Sequence, residues 1–142
     1  LNQAVAAFRL QQGTAEEAVV LVRKAVALYR SGPREQFLGR ITDKAAGFHD
    51  RDMYVFVLDA SGRYLAFGGN PAKVGTRVQD IAGIAGDQLV YDIVTQAQQG
   101  PGWVEYDITN PASGAVQTKM SFVSQVDDWY VGCGVYKTLA AR

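Results

Sequence analysis

Apolar positions follow a helical period in the first third of the chain and a strand period through most of the rest. Residues 1–47 show no strand alternation. Apolar side chains spaced three and four apart line one face of an amphipathic helix. The positions with this spacing are Val19, Val22, Val26 and Tyr29. The pattern predicts that residues 1–47 are helical and pack one face on a core.

Gly13 allows two interpretations of this helical part. Thr14 followed by Glu17 has the spacing of a capping box, which would restart a helix after a bend near Gly13. Gly13 is equally tolerated inside one long helix, and one long helix, kinked or straight, is the interpretation we favour. Ser31-Gly32-Pro33 ends it, and a shorter helix over about residues 33–44 follows.

The period changes at Met53. Residues 53–58 form a continuous apolar and aromatic run, residues 59–62 form a turn, and residues 63–67 are strand-like again, so a β-hairpin is predicted. Its first strand is apolar on both faces, which indicates a central strand covered on both sides. An irregular segment from Gly68 to about Ile84 and an amphipathic helix over about 86–98 follow.

Three further β-rich runs complete the chain as an antiparallel meander. Short turns at residues 110–114 and 127–128 separate them. The order predicts one α+β domain over residues 1–142, with a helical part at 1–47 and a five-stranded antiparallel sheet with a pocket at 53–136. The long excursion between the second and third strands crosses one face of this sheet, where a loop of that length usually covers a ligand.

Composition excludes several classes of function. The 14 basic residues balance 14 acidic ones, so no net field attracts nucleic acid or an anionic membrane. His49 is the only histidine and Cys133 the only cysteine, so neither a metal site nor a catalytic triad is predicted. The prediction is accordingly a protein that is not an enzyme and holds no cofactor. Cys133 is expected to pack as a small hydrophobe. The start at Leu1 predicts a segment of a longer protein.

Lys119 is the main candidate for ligand contact. Lys119 and Ser121 share one face of a strand, which is either the pocket face or the solvent face. A buried ammonium needs an anion beside it. Tyr54 and Phe56 share a face of the first strand, and we assign this aromatic face to the pocket, although plain core packing fits as well.

Five weaker candidates surround this assignment. Tyr106 is preferred over Trp103, because the two have opposite parity and both line one pocket only if a bulge re-aims one of them. Gly68 and Gly69 offer backbone N–H groups to a ligand oxygen or simply form a tight turn. Tyr136 reaches the pocket from the last strand or only packs there.

The sequence resembles the single Cache domain family, a PAS-like extracytoplasmic sensor module of bacterial chemoreceptors and sensor kinases. The resemblance covers the chain from about residue 15, in order and spacing. The matching motifs are DMYVFVLD at 52–59, FGGNP at 67–71, VG at 74–75, GWVEY at 102–106, NP at 110–111, KMSFV at 119–123 and GCGVY at 132–136.

The resemblance implies a long N-terminal helix on the back of the sheet and a small-molecule pocket on the other face, under the loop and short helix. Family ligands are often small carboxylates, and the lysine of the fourth strand commonly holds the carboxylate, a role that transfers to Lys119. Many relatives have a histidine where this chain has Phe67, which should make the pocket more apolar.

The resulting prediction is a periplasmic or otherwise extracytoplasmic sensor domain for a small carboxylate. We expect a homodimer through the N-terminal helix and membrane segments outside these 142 residues. Two alternatives remain at this stage: a soluble periplasmic binding protein of the same fold, and a cofactor-binding PAS-like domain.

Overall fold

The computed structural model describes residues 12–137, which form three α-helices and six β-strands. In chain order the elements are α1 (Ala15–Ser31), α2 (Arg34–Thr42), β1 (His49–Asp50), β2 (Met53–Leu58), β3 (Tyr64–Phe67), α3 (Gly86–Gln99), β4 (Gly102–Thr109), β5 (Val116–Val126) and β6 (Trp129–Tyr136).

Helix α1 begins with a capping box. The Thr14 side chain accepts the N–H of Glu17, and the Glu17 carboxylate accepts the N–H of Thr14. Gly13 lies before the helix, and its N–H donates to Asp52 at 2.7 Å. The favoured prediction of a helix continuous through Gly13 is therefore wrong, and residues 1–11 of that predicted helix lie outside the described residues. The C-terminal end of α1 lies where it was predicted. The Gly32 N–H, just after the helix, donates to the Leu28 carbonyl at 3.0 Å.

The sheet is antiparallel throughout, with β2, β6, β5 and β4 side by side in that spatial order. The short strands β1 and β3 both pair with β2. The five predicted strands are present. The sixth strand, β1, is only two residues long and contains the exposed His49. It was not predicted, because a two-residue strand leaves no periodic pattern in the sequence.

Alternation along the strands divides the core into two layers. On one face, α1 packs Ala18, Val22 and Ala25 against Val55 and neighbouring strand residues, and the four named residues are fully buried. The opposite face packs a second apolar cluster under α3 and the segment before it. That cluster comprises Phe56, Leu58, Tyr64, Phe67, Val78, Leu89, Val90, Ile93, Ala97, Val104, Val123 and Tyr130. The predicted covering of β2 on both sides is confirmed.

Helix α3 lies across the second face, as the long predicted excursion requires. Its buried positions Leu89, Val90, Ile93 and Ala97 recur at helical spacing. Within residues 12–137, no helix has the length and apolar content needed to cross a bilayer.

Candidate ligand-binding site

Lys119 occupies the middle of the sheet, on the face that α3 covers. On β5 it pairs with Tyr106 of β4 on one side and with Tyr136 of β6 on the other. Only 7% of its surface is exposed. The choice between pocket and solvent that the sequence left open is thus settled in favour of the covered face.

The ammonium of Lys119 lies between two tyrosine rings. Its Nζ is 5.3 Å from the ring centroid of Tyr54 and 5.3 Å from that of Tyr136, which is within the range of cation–π attraction. Across residues 12–137, no carboxylate forms an ion pair with it. Burial lowers the pKa of Lys119, and the carboxylate of Asp52 acts in the opposite direction. The site therefore holds a largely desolvated cation.

Two hydroxyl groups lie beside this cation. Tyr106 Oη and Ser121 Oγ are 3.1 Å apart, and Ser121 is 1% exposed. Burial raises the pKa of Tyr106 to about 12, although its hydrogen bond to Ser121 opposes the shift. Both hydroxyls consequently remain protonated at neutral pH. One of them donates to the other, so the pair has one proton left to donate to a further acceptor.

Gly134 lets these side chains pack closely against the backbone of β6. A Cβ at this position would lie 2.9 Å from Ser121 Oγ, 3.3 Å from Lys119 Cε and 3.3 Å from Tyr106 Oη. Gly132, two residues earlier on the same face, is covered by Phe56, whose Cζ would be 2.3 Å from such a Cβ. Sequence reasoning missed both glycines, although alternate glycines within a strand are a known sign of close approach.

The rest of the wall beside the cation is aromatic. The rings of Tyr54 and Phe67 stack with centroids 4.1 Å apart, and Tyr64 meets Phe67 edge-on at 5.2 Å. Burial is the main cause that raises the pKa of Tyr54 and Tyr64. Phe56, Tyr54 and Phe67 thus lie on the same covered face as Lys119, in agreement with the strand parity.

Trp103 lies on the other face of the sheet. The β4–β5 pairing runs through eight consecutive residue pairs without a register shift, so no bulge turns its side chain over. Its ring packs on Phe122 at 5.3 Å, in the layer that α1 covers. The prediction that Trp103 lines the same pocket as Lys119 is therefore corrected.

Gly68 and Gly69 serve backbone packing. The Gly68 N–H donates to the Val55 carbonyl at 2.8 Å and the Gly69 N–H to the Thr42 carbonyl at 3.1 Å. A Cβ on Gly68 would lie 2.1 Å from the Phe48 carbonyl oxygen. Both N–H groups already have protein acceptors, so the prediction that they face a ligand oxygen is also corrected.

Cys133 faces the α1 layer, and burial raises the pKa of its thiol to about 12. In the part of the chain that the structure describes, no group of three or more histidine, cysteine, aspartate or glutamate side chains is placed to hold a metal ion. What the covered face offers is one cation, a hydrogen-bonded pair of hydroxyls with one free proton, and aromatic walls, which is the chemistry of anion recognition.

The helix-backed antiparallel sheet and the covered second face define the PAS-like class of sensor folds, and solved structures agree. A methyl-accepting chemotaxis protein from Vibrio parahaemolyticus superposes with a TM-score of 0.63 at 19% identity, over 87% of this chain and 89% of that one. A periplasmic sensor domain of a chemotaxis protein gives 0.56 at 27% identity, over 86% and 89%. A Cache chemosensory domain described for carboxylic acid recognition gives 0.59 at 19% identity, over 96% and 99%.

The chain belongs to the single Cache domain 2 family, whose family model matches residues 7–138. A sensor histidine kinase, MctS, from Rhizobium johnstonii is 30% identical over 90 residues, which are 62% of this chain and 20% of the kinase. The matched segment thus spans about a fifth of the length of that relative.

Proposed function

We propose that residues 1–142 form one extracytoplasmic sensor domain that binds a small carboxylate at Lys119 and catalyses no reaction. The observation that carries this proposal is the buried ammonium of Lys119, which forms no ion pair within residues 12–137. A desolvated charge without a partner is costly, and a bound anion would offset much of that cost.

The neighbouring groups support a carboxylate in particular. Its two oxygens accept several hydrogen bonds. Lys119 can donate to one oxygen, and the hydroxyl pair of Tyr106 and Ser121, which lies near the end of the Lys119 side chain, has one proton left to donate to the other. The rings of Tyr54 and Tyr136, each 5.3 Å from the ammonium, leave little room beside it and favour a short acid.

Membership of the family supports the sensor role, and the likeness to a sensor kinase supports attachment to a signalling protein. We infer that the ligand shifts the sheet against α1, which packs on β5 and β6, and that this shift passes to membrane segments outside residues 1–142. We also propose that the N-terminal helical part is the surface of a homodimer.

Isothermal titration calorimetry tests the ligand class. A thermal-shift screen against acetate, propionate, lactate and pyruvate first selects an acid, because a ligand that binds only the native state raises its melting temperature. The selected acid is then titrated into the wild type, Lys119→Ala and Lys137→Ala. Lys137 is a matched control, because this exposed lysine pairs with Glu105 at 2.9 Å, away from the covered face.

We expect the binding heat to disappear in Lys119→Ala and to persist in Lys137→Ala. Circular dichroism of both variants checks that they fold. Unchanged binding by a folded Lys119→Ala variant would contradict the proposed anchor, and a screen with no response from any of these acids would contradict the ligand class.

A further inference from the structure

An open groove adjoins the Lys119 site on the same face of the sheet. This groove, of about 490 Å³, is lined by Ala82, Ile108, Gln117 and Tyr136, among others. Ile108 and Gln117 pair two residues beyond Tyr106 and Lys119, so by the alternation of strands they face the same way. The groove is therefore a continuation of the covered face toward the end of β4.

The loop that forms one wall of the groove is held in place. The Thr109 N–H at the end of β4 donates to the Gly83 carbonyl at 2.8 Å. Gly83 has a φ of 83°, and a Cβ there would lie 1.9 Å from the Thr109 carbonyl oxygen. This close backbone approach requires glycine and fixes the segment that carries Ala82 beside the strand.

Tyr136 lies between the Lys119 side chain and the groove. It is the direct partner of Lys119 on β6, with its ring centroid 5.3 Å from the ammonium. It also lines the groove, whereas Lys119 does not. The half-buried ring of Tyr136 thus separates the cation from the groove.

We propose that Tyr136 determines the length of the acid that the domain accepts, because its ring closes the Lys119 site against the groove. A smaller side chain at this position opens the groove onto the ammonium of Lys119. Apolar surface from Ile108 and Ala82 then becomes available to the tail of a longer acid, beside Gln117. The inference rests on the proposed carboxylate function.

Chain-length selectivity tests the inference. The affinities for butyrate, hexanoate and octanoate are measured for the wild type, Tyr136→Ala and Tyr136→Phe. In Tyr136→Ala we expect the affinity to rise by about fourfold for each added methylene that becomes buried. The wild type and Tyr136→Phe, which keep the ring, should show no such rise.

Two outcomes of this measurement overturn the proposal. One is a Tyr136→Ala variant that keeps the wild-type order of the three acids. The other is a Tyr136→Phe variant that changes as the alanine variant does, because the hydroxyl and not the ring would then set the selectivity.

A second readout needs no ligand and therefore separates failure of this inference from failure of the proposed function. The rate at which an amine-reactive acetylating reagent modifies Lys119 is followed by mass spectrometry, with the exposed Lys73 as internal reference. We expect Tyr136→Ala to raise the ratio of the Lys119 rate to the Lys73 rate, and Tyr136→Phe to leave it unchanged. An unchanged ratio in Tyr136→Ala overturns the separating role of the ring, even if Lys119→Ala abolishes acetate binding.

Discussion

The hydroxyls of Tyr106 and Ser121 meet at 3.1 Å although the two residues are not opposite each other on the sheet. Tyr106 pairs with Lys119, whereas Ser121 pairs with Val104 on β4 and with Gly134 on β6. The contact is thus a diagonal one across two strands, within reach of a long side chain. It fixes the phenol of Tyr106 beside the ammonium-bearing side chain.

This relationship predicts energetic coupling between the two hydroxyls. Tyr106→Phe and Ser121→Ala should each lower the free energy of unfolding by about 1 kcal/mol. Each substitution removes one of the two hydroxyls and leaves the other without this hydrogen-bond partner. In a double-mutant cycle followed by urea denaturation, the combined loss should be smaller than the sum. The exposed Tyr91→Phe serves as a control and should change stability by less than about 0.5 kcal/mol. Strict additivity would contradict a direct bond.

Lys119→Met should stabilise the domain in the absence of ligand. Burial holds the pKa of Lys119 below its ordinary value of 10.5, so between the folded pKa and 10.5 the unfolded chain binds more protons. The cost of the buried charge is fully present below the folded pKa and disappears as pH rises toward 10.5. We therefore expect Lys119→Met to be more stable than the wild type at pH 7 by on the order of 1 kcal/mol.

The measurement is urea denaturation of the wild type and of Lys119→Met at several pH values from 7 to 10. The difference in stability should shrink as pH rises. The raised pKa of Tyr106 acts in the opposite direction at higher pH, but both proteins carry this tyrosine and its effect cancels in the difference. A variant less stable than the wild type at pH 7 would show that the buried cation is compensated by contacts within the protein.

The two glycines of β6 should respond differently to alanine. Gly132→Ala drives a Cβ to 2.3 Å from Phe56 Cζ, and such overpacking costs about 1–3 kcal/mol of stability. Gly134→Ala meets the side-chain ends of Ser121 and Lys119 at 2.9 and 3.3 Å. We expect it to cost less stability, because flexible side-chain ends can shift, and to abolish binding of the carboxylate, because the methyl group displaces the ends of Lys119 and Ser121.

Urea denaturation and calorimetry of the two variants, side by side, check this expectation. A Gly134→Ala variant that binds the acid as the wild type does would place the ligand elsewhere on the face.

Strand parity predicted which side chains within each strand share a face, but the register between strands was needed to show that these faces coincide. Tyr54, Phe56, Lys119 and Ser121 alternate with buried residues of the α1 layer, and a two-residue period admits only two faces. Parity also placed Trp103 and Tyr106 on opposite faces of β4. The prediction that Trp103 lines the pocket was wrong because it allowed for a bulge, and the β4–β5 register contains none. The local pattern thus carried most of the information about the sheet.

Contacts between distant segments were not predictable from the pattern. The N–H groups of Gly68 and Gly69 bond to Val55 and Thr42, and Gly83 closes on Thr109. Each of these contacts depends on the path of the chain between the two segments. The spacing of apolar residues carries no information about that path. The groove beside Tyr136 likewise lies between the β4–β5 hairpin and Ala82 of the loop that carries Gly83, and it was absent from the sequence-based prediction for that reason.

Thr14→Ala should destabilise the domain by about 1 kcal/mol, because it removes the side-chain oxygen that accepts the Glu17 N–H at 3.2 Å. Thr14→Ser keeps the hydroxyl and should stay close to the wild type. Urea denaturation measures both. Equal losses in the two variants would mean that the methyl group of Thr14, and not its cap, supports the start of α1.

Trp129 should report whether ligand binding moves the sheet against the helices. Its ring lies between elements, 6.1 Å from Phe37 of α2, 6.0 Å from Tyr29 of α1 and 4.3 Å from the Arg34 guanidinium. Indole emission depends on the polarity and charge of such surroundings, so a small displacement of β6 against α1 or α2 changes it.

Trp103→Phe leaves Trp129 as the sole tryptophan of the chain. We expect its fluorescence emission to change saturably as the acid that calorimetry identifies is added. The midpoint of this change should equal the midpoint of the calorimetric titration. The same titration of a Trp103→Phe/Lys119→Ala variant should leave the emission flat, which separates binding at the site from an effect of the added salt. If heat is released on binding while the emission of Trp129 stays constant, the rearrangement does not reach the end of the sheet where α1 and α2 meet, and the proposed route of the signal through α1 is wrong.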